Sequence, residues 1–574
     1  MVQHVSPGVF VTITDLSEYV REVPSTIGFI PIICEKGPDN ELIYTNGRDF
    51  IPDFGEPNIL YAGRKWSQGP YVANNFLKES DSLYVMRCMP NNAEFANLLL
   101  TVTSGTAVAS NVDSMRYKSE LRDQVNITSS GESLDTTSGD HEAAVIFYGI
   151  GRGTYYNDFE IEITHDTRGG TSYWKDTKKY ILKIYQKQIT KDTFSTTTDT
   201  DEYQYVAIET FEVSFDPTSI DTDGGSIWVE DIVNSYSKNI RCYANEIRCQ
   251  AISDLDTTGG AFDVTTATSL ANGSNGELFM VHGGATIIDD NHIEELLIDA
   301  YSGDLDSNDT LGAKVTSVND TENYYFSLVF ECYNSAAVKT AIVTLAETRG
   351  DCVAILDNGD NSSVTTSITR TTTDGINTKY AAIYEPYTKV YDNFTGRSIW
   401  MSPVYHMAKV IPKSDKLTDV WYAAAGPNRA MISGISDLRF NPLLSERDSM
   451  YLVQLNPIVR FNIGDMVFGQ LTSQSRPTAL QDLNIVRLVL YIQRALEQFC
   501  RYYLFEQNDS ETWESLTTNI NSFLRVIQNK RGLYSYSVEV GATDYEIKRK
   551  TIHANVTLFP TRTTEQINLN FFIK

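Results

Sequence analysis

The sequence predicts a multidomain α+β protein in which an α/β core is interrupted by a β-rich insertion. Three observations predict it. Strand-like and helix-like runs alternate before residue 97 and again from about residue 290, whereas residues 97–265 read as β-forming runs separated by Ser, Thr, Asp and Gly. The net charge of −27 is concentrated in the middle of the chain. Both ends alternate apolar and polar residues with period two, the mark of a half-buried strand.

The first terminal run sets Val9, Val11 and Ile13 against Phe10, Thr12 and Thr14, after the turn dipeptide Pro7-Gly8. The last sets Ile567, Leu569, Phe571 and Ile573 against Asn568, Asn570, Phe572 and Lys574. A strand at a chain end has a free edge, and a free edge recruits another strand. Each arm therefore either completes a sheet of its own molecule or pairs with a neighbouring copy by β-augmentation.

Between the arms, Ser25–Cys34 is a buried-strand run ending at Lys36-Gly37-Pro38, followed by a helix near Tyr71–Leu77 and a strand at Leu83–Cys88. Ala143–Tyr148, Phe159–Ile163 and Tyr180–Tyr185 are the clearest strands of an all-β block, and Thr190–Glu202, rich in Thr and Asp, reads as a solvated loop. Ala336–Leu345 is a helix and Asp351–Asp357 a buried strand, so the block reads as an insertion whose flanks join in space. Residues 483–505 repeat apolar positions at Ile485, Leu488, Ile492, Leu496, Phe499 and Tyr503. Arg487, Arg494 and Arg501 run along the opposite flank, available for contact with another protein or for ion pairing with Glu497. Asn508-Asp509-Ser510 caps a second helix over Glu511–Asn529, which Lys530-Arg531-Gly532 stops.

Charge sorts these segments. Residues 1–100 carry 7 basic and 12 acidic side chains, residues 101–380 carry 19 and 44, and residues 381–574 carry 21 and 18. A strongly acidic middle belongs on a solvated exterior and is a poor partner for nucleic acid. The slightly basic last third is left for contacts with other protein. The longest apolar stretch, Ile27–Cys34, is too short to cross a membrane and contains Pro31. The N-terminus lacks the basic and apolar regions of a signal peptide, so cytosolic synthesis is expected. Seven cysteines without CxxC spacing predict neither disulfides nor zinc, and Cys34, Cys88 and Cys352 sit in apolar runs as core residues.

No catalytic, cofactor-binding or metal-binding residue is predicted. The seven histidines are scattered, and HExxH, GxSxG, a Walker loop and a strand-borne GxGxxG are all missing. Asp304–Asp309 imitates the start of an EF-hand, but Asp309 replaces the turn glycine and Val315 stands at the bidentate glutamate position.

Read in order, a series of landmarks resembles one family, the tail sheath proteins of contractile-tailed phages. They are Ser6-Pro7-Gly8-Val9-Phe10-Val11, Gly28-Phe29 with Lys36-Gly37-Pro38, and Asp49–Gly55. The run Gly151–Asp158, with Tyr155, Tyr156 and Asn157 after its glycines, Glu209–Phe215 and Gly273-Ser274-Asn275-Gly276 follow. The series ends with Tyr384-Glu385-Pro386-Tyr387, Trp421–Asn428, Asn456-Pro457-Ile458-Val459-Arg460, and Phe505–Asp509 with Trp513. The resemblance implies a subtilisin-like but non-proteolytic α/β core built from both chain ends, with the insertion facing outward. It implies an N-terminal arm at 1–24, the first part of the core at 25–96, the insertion at 97–265, the α/β sheath domain at 266–440, a tube-proximal domain at 441–560 and a C-terminal arm at 561–574. It also implies strand exchange between subunits through Val9, Phe10, Val11, Ile13, Ile567, Leu569, Phe571 and Ile573, with flexible hinges expected at Asp15–Pro24 and Phe559–Thr564. Tube or neighbour contacts are expected at Arg487, Arg494, Arg501, Lys530 and Arg531. The implied partners are further copies in stacked hexameric rings, a tail tube protein, and baseplate and terminator proteins, with no cofactor and neither nucleic acid nor membrane contacted. The place is the virion tail, after assembly in the host cytoplasm. The sheath of a phage-derived bacteriocin or contractile secretion system shares the pattern, and a hydrolase on a subtilisin-like scaffold is the reading from another class.

Overall fold

The computed structural model describes residues 26–57, 68–103, 106–125, 142–166, 178–191, 202–221, 223–255, 262–276, 279–282, 285–288 and 290–565. All eight residues expected to exchange strands, from Val9 to Ile573, lie outside these, as does the hinge expected at Asp15–Pro24.

The chain is a mixed α/β protein with several sheets. Among the described residues the largest has nine strands: β1 (Gly28–Ile32), β2 (Ile43–Thr45), β3 (Leu83–Arg87), β4 (Leu328–Phe330), β5 (Val353–Asp357), β6 (Ala381–Glu385), β7 (Met431–Ile432), β8 (Leu455–Phe461) and β9 (Gly464–Val467). Their order is β7-β9-β8-β6-β5-β4-β1-β3-β2. The strands from β3 to β8 run parallel, while β2 at one edge and β9 and β7 at the other pair antiparallel.

Parallel strands covered on both faces bury every residue, which is why β1, β5 and β6 read as unbroken apolar runs. The cover includes α1 (Gly69–Leu77), α2 (Asp290–Ser302), α3 (Ala336–Arg349) and α4 (Pro403–Leu417), with α1 packed on α4 and α2 on α3. Local sequence sets their ends. Ser335 caps α3 by accepting from the Ala337 N–H, and Gly350 closes it in the left-handed region at φ 66°. In α4, Pro403 occupies the first turn behind the capping hydroxyl of Ser402.

The block between α1 and α2 is β-rich rather than all-β. Among the described residues its strands beyond β3 form two four-stranded antiparallel sheets, in the order 240–244, 142–149, 97–103, 106–110 and in the order 264–269, 159–165, 179–191, 202–214, and a two-stranded one, 279–282 with 285–288. Three helices, Lys118–Val125, Val229–Tyr236 and Glu246–Leu255, accompany them. The loop expected at Thr190–Glu202 is shorter than the composition indicates, because Thr190 and Lys191 end one 13-residue strand and Glu202 begins the next. Residues 192–201 lie outside the described set. The expected cysteine behaviour holds: Cys34, Cys88 and Cys352 are buried and free.

Several landmark residues meet where this block joins the large sheet. Arg87, at the end of β3, donates to the carbonyls of Cys34, Glu35, Gly37 and Arg152 at 2.9–3.0 Å. Arg152 in turn gives its backbone N–H and its Nε to Asp39, at 2.8 and 2.7 Å, with both side chains fully buried. Burial works against ionisation of Asp39, but the guanidinium groups of Arg152 and Arg87 overcome it and hold the carboxyl below its usual range. Tyr156 accepts the Gly37 N–H at 2.8 Å, and Asn157 exchanges two hydrogen bonds with the backbone of Gly273. A side chain at Gly151 would come within 2.2 Å of the Gly37 carbonyl oxygen, so glycine is required for this approach.

Arg152→Met leaves Asp39 buried without its side-chain partner, and losing one member of a buried pair costs about 3–5 kcal/mol. The variant is expected to unfold at lower urea concentration than the parent, with the shift read by fluorescence on the unassembled chain.

Candidate assembly surface

Two helices and a hairpin form the layer nearest the C-terminus: α5 (Leu483–Arg501), α6 (Ser510–Asn529), β10 (Leu533–Gly541) and β11 (His553–Pro560). Leu488 and Ile492 from α5 meet Leu516, Ile520, Leu524 and Ile527 from α6 around Trp421, in an apolar core separate from that of the large sheet. α5 ends four residues before the predicted limit, because the chain turns at Phe505 with φ 74°. Asp509 then caps α6 by accepting the Thr512 N–H at 3.0 Å, as the sequence predicts. Asn508 fixes the same turn, accepting from Trp513 Nε1 at 2.8 Å and donating to the Thr551 carbonyl at 3.2 Å. Beyond α6, Arg531 takes a left-handed conformation at φ 68° and Gly532 lies against the Trp421 ring, where a Cβ would come within 3.1 Å of it.

β10 and β11 pair antiparallel from Leu533–Pro560 to Gly541–His553. One face rests on α6 through Tyr536, Val538, Val540, Val556 and Leu558, while Tyr534 and Phe559 are exposed. Among the described residues this sheet has two strands, and no third strand pairs with either outer edge. The segment Phe559–Thr564, expected to act as a hinge, is held. Phe559 and Pro560 belong to β11, Thr561 donates its N–H to Gly532 at 3.1 Å, and Gln470 Nε2 donates to Thr563 and, at 3.1 Å, to Glu565.

The arginine row does not form one outward face. Arg487 is buried and makes a bidentate pair with Asp415 of α4, at 3.0 and 2.5 Å. Arg494 is buried against the Tyr325 ring, 4.6 Å from its centroid, and donates to the Thr321 carbonyl at 3.2 Å. Its pairing with Glu497 occurs, at 3.6 Å. These two residues therefore tie α5 to the rest of the chain. Arg501, Lys530 and Arg531 are exposed, Lys530 beside Asp419 at 3.2 Å. Tyr502, Leu504 and Phe505, which follow Arg501, are strongly exposed and were missed by the sequence reading. Phe505 was quoted there only as a landmark, and its exposure follows from the left-handed turn, which apolar periodicity does not register.

The model of the phage tail sheath C-terminal domain matches residues 475–574, a range that begins just before α5 and contains α6 and the hairpin. The chain is 29% identical over 200 residues to the tail sheath protein of Vibrio phage KVP40, covering 34% of this chain and 30% of that protein. It is 24% identical over 257 residues to the tail sheath protein of Enterobacteria phage T4, covering 41% and 39%. The chain thus spans about a third of the length of the curated relatives it matches. In structure it is similar to a sheath tail protein from Listeria innocua, with a TM-score of 0.52 at 11% identity over 94% of this chain and 96% of that one, a likeness of fold. The resemblance read from the ordered landmarks, to phage tail sheath proteins, is upheld.

Outside residues 475–574, polar side chains gather at the carboxyl ends of β4, β5 and β6, where open parallel sheets usually place a ligand. Here they bond to one another. Glu331 accepts the Asp357 N–H at 2.7 Å, and Tyr387 donates to Asp357 at 2.8 Å. Glu385 accepts from Asn358 at 2.6 Å, from Asn361 at 2.8 Å and from Ser367. His406 is buried against Thr388 at 2.6 Å, and burial lowers its pKa to about 3, so the ring is neutral. Of the EF-hand-like run, Asp306 pairs with Lys314 at 2.8 Å. Among the described residues no group of three or more His, Cys, Asp or Glu is placed to hold a metal.

Burial pushes Glu385 up to about 7 against the opposing pull of its three hydrogen bonds. The folded state therefore holds this proton more tightly than the unfolded state does. Stability from this group is fully present below about pH 4.5, falls as pH rises, and is lost above about pH 7. The span corresponds to about 3 kcal/mol. Glu385→Gln is expected to remove that fall, so the difference in unfolding free energy between variant and parent should grow from pH 4.5 to 7 and then level off. Denaturant titrations at several pH values measure it.

Proposed function

We propose that this protein is the structural subunit of a contractile phage tail. It polymerises as a helical sheath of stacked hexameric rings around a tail tube and contracts to drive the tube through the host envelope. The observation that carries the reading is the sheath C-terminal domain at residues 475–574, supported by the tail sheath proteins of phages KVP40 and T4 among its relatives. The partners in this reading are other copies of the chain, the tube protein, and baseplate and terminator proteins. Its place is the virion tail after assembly in the host cytoplasm, and no catalytic role is assigned.

In the same reading the nine-stranded sheet is the subtilisin-like core of the family. The segments keep the boundaries given above, with arms at 1–24 and 561–574, the insertion at 97–265, the sheath domain at 266–440 and the tube-proximal domain at 441–560. The hairpin β10–β11 supports the place given to the arms, because its two open edges are what a strand from a neighbour needs. Val9, Phe10, Val11 and Ile13 at one end and Ile567, Leu569, Phe571 and Ile573 at the other would supply such strands. Head-to-tail contacts of this kind do not close, and they build a helical lattice instead of a dimer. Contraction is then a rigid-body change between two packings of linked subunits. The extended state is held by a barrier, so its stability is a rate. For the tube or neighbour contacts, the positions compatible with exposure are Arg501, Lys530 and Arg531.

Deleting residues 1–20 is expected to leave the unassembled chain folded, by circular dichroism, and to abolish polymerisation, by negative-stain electron microscopy. Tubes of normal length from the deletion variant would refute strand exchange through the N-terminal arm.

A further inference from the structure

Thr26 is the first described residue, immediately beyond the N-terminal arm, and its side chain is engaged by a carboxylate 389 positions away. Its hydroxyl donates to Asp415 Oδ2 at 2.5 Å. The same carboxylate receives both terminal nitrogens of Arg487, and the carboxylate and guanidinium are 3% and 4% exposed. Ser80 donates to the Thr26 carbonyl at 3.0 Å, and the next carbonyl, of Ile27, receives the Ser327 N–H at 2.9 Å. β1 starts one residue later.

We infer that Asp415 is the anchor that fixes where the N-terminal arm leaves the body and joins that exit to α5 of the sheath C-terminal domain. The inference rests on the arm reading above and deepens it. A carboxylate has about four acceptor positions. The bidentate guanidinium uses two and neutralises the charge, and a third takes the Thr26 hydroxyl. One buried group on α4 thus holds the root of the arm and the helix that carries the candidate hairpin edge. A pull on the arm passes at once to α4, to α5 and to β1, an interior strand of the large sheet. Thr26 and Asp415 are positioning residues, acting on the direction of the arm and not on what it touches.

Thr26→Val and Thr26→Ser separate this role from packing. Valine keeps the branched shape and removes the hydroxyl, whereas serine keeps the hydroxyl and removes the methyl. In the full-length unassembled chain, Thr26→Val is expected to raise hydrogen exchange at Ile27 and Gly28 about tenfold, the lower end of what a hydrogen bond to a charged group is worth. It is expected to slow tube growth several-fold by light scattering, while exchange in α5 stays unchanged. Thr26→Ser is expected to match the parent in both. Arg487→Lys keeps the charge but loses the bidentate grip, and exchange is expected to rise in α5 as well as at Ile27. The anchor is overturned if Thr26→Val matches the parent in exchange, or if Thr26→Ser behaves as Thr26→Val does. Normal tubes from the 1–20 deletion would refute the arm reading by itself, and the exchange measurements on the unassembled chain would still judge the anchor.

Discussion

The parallel pairing of β1 with β4 is the constraint on which the rest of the architecture depends. Gly28 lies opposite Leu328, 300 positions later, and opposite Leu83 on its other side. Closing a loop of that length costs about 5 kcal/mol in chain entropy beyond a constant. The five fully buried residues of β1 offset it, at roughly 1.5–3 kcal/mol for each large apolar side chain. Gly28 itself must be small, since a Cβ there would come within 2.9 Å of Leu83 and Phe330. Once this pairing is made, the β-rich block can hang from the sheet without disturbing its register.

Arginine makes the joints between segments distant in sequence. Arg87 gathers four carbonyls of two loops, and Arg152 closes on Asp39. Arg349 makes a bidentate pair with Asp351 at 2.9 Å while donating to the carbonyls of Val318 and Tyr324. Arg487 and Arg494 pin α5. A planar fork of five donors suits this work, because one side chain satisfies several carbonyls that no regular ladder reaches. Such joints are directional, so they select one relative placement of the segments where apolar packing alone would permit several.

What the sequence disclosed follows from where single physical signals dominate. β1 and β5 were legible because both faces are buried and the apolar run is unbroken. α6 was legible because Asp509 and Lys530-Arg531-Gly532 mark its ends chemically. The arginine row was misread for a geometric reason. Residues seven apart on an α-helix drift about 20° per step relative to its axis. The row therefore slides from the buried Arg487 through Arg494, held by Tyr325, to the exposed Arg501, although its spacing looks like one face. The three helices described in the acidic block were missed because they are short, two to three turns each, although Val229, Ile232, Val233 and Tyr236 do recur at helical spacing. The buried pair of Arg487 with Asp415 has no local signal, since its partners lie 72 positions apart.

The two ends of the described chain are held by the same device. At Thr26 a buried carboxylate takes the hydroxyl, and at Thr563 and Glu565 the buried amide of Gln470 donates to both side chains. Each anchor adjoins α5: Asp415 through Arg487, and Gln470 through its carbonyl, which accepts the N–H of Leu483 at 2.8 Å, the first residue of that helix. If neighbours are linked through the segments beyond these points, force entering at either end reaches α5 within a few bonds. The hairpin packed on α6 would then move with both ends as one body. A lattice that changes its packing without losing its links needs this property, because a soft connection between entry and exit would absorb the displacement within the subunit instead of transmitting it to the next.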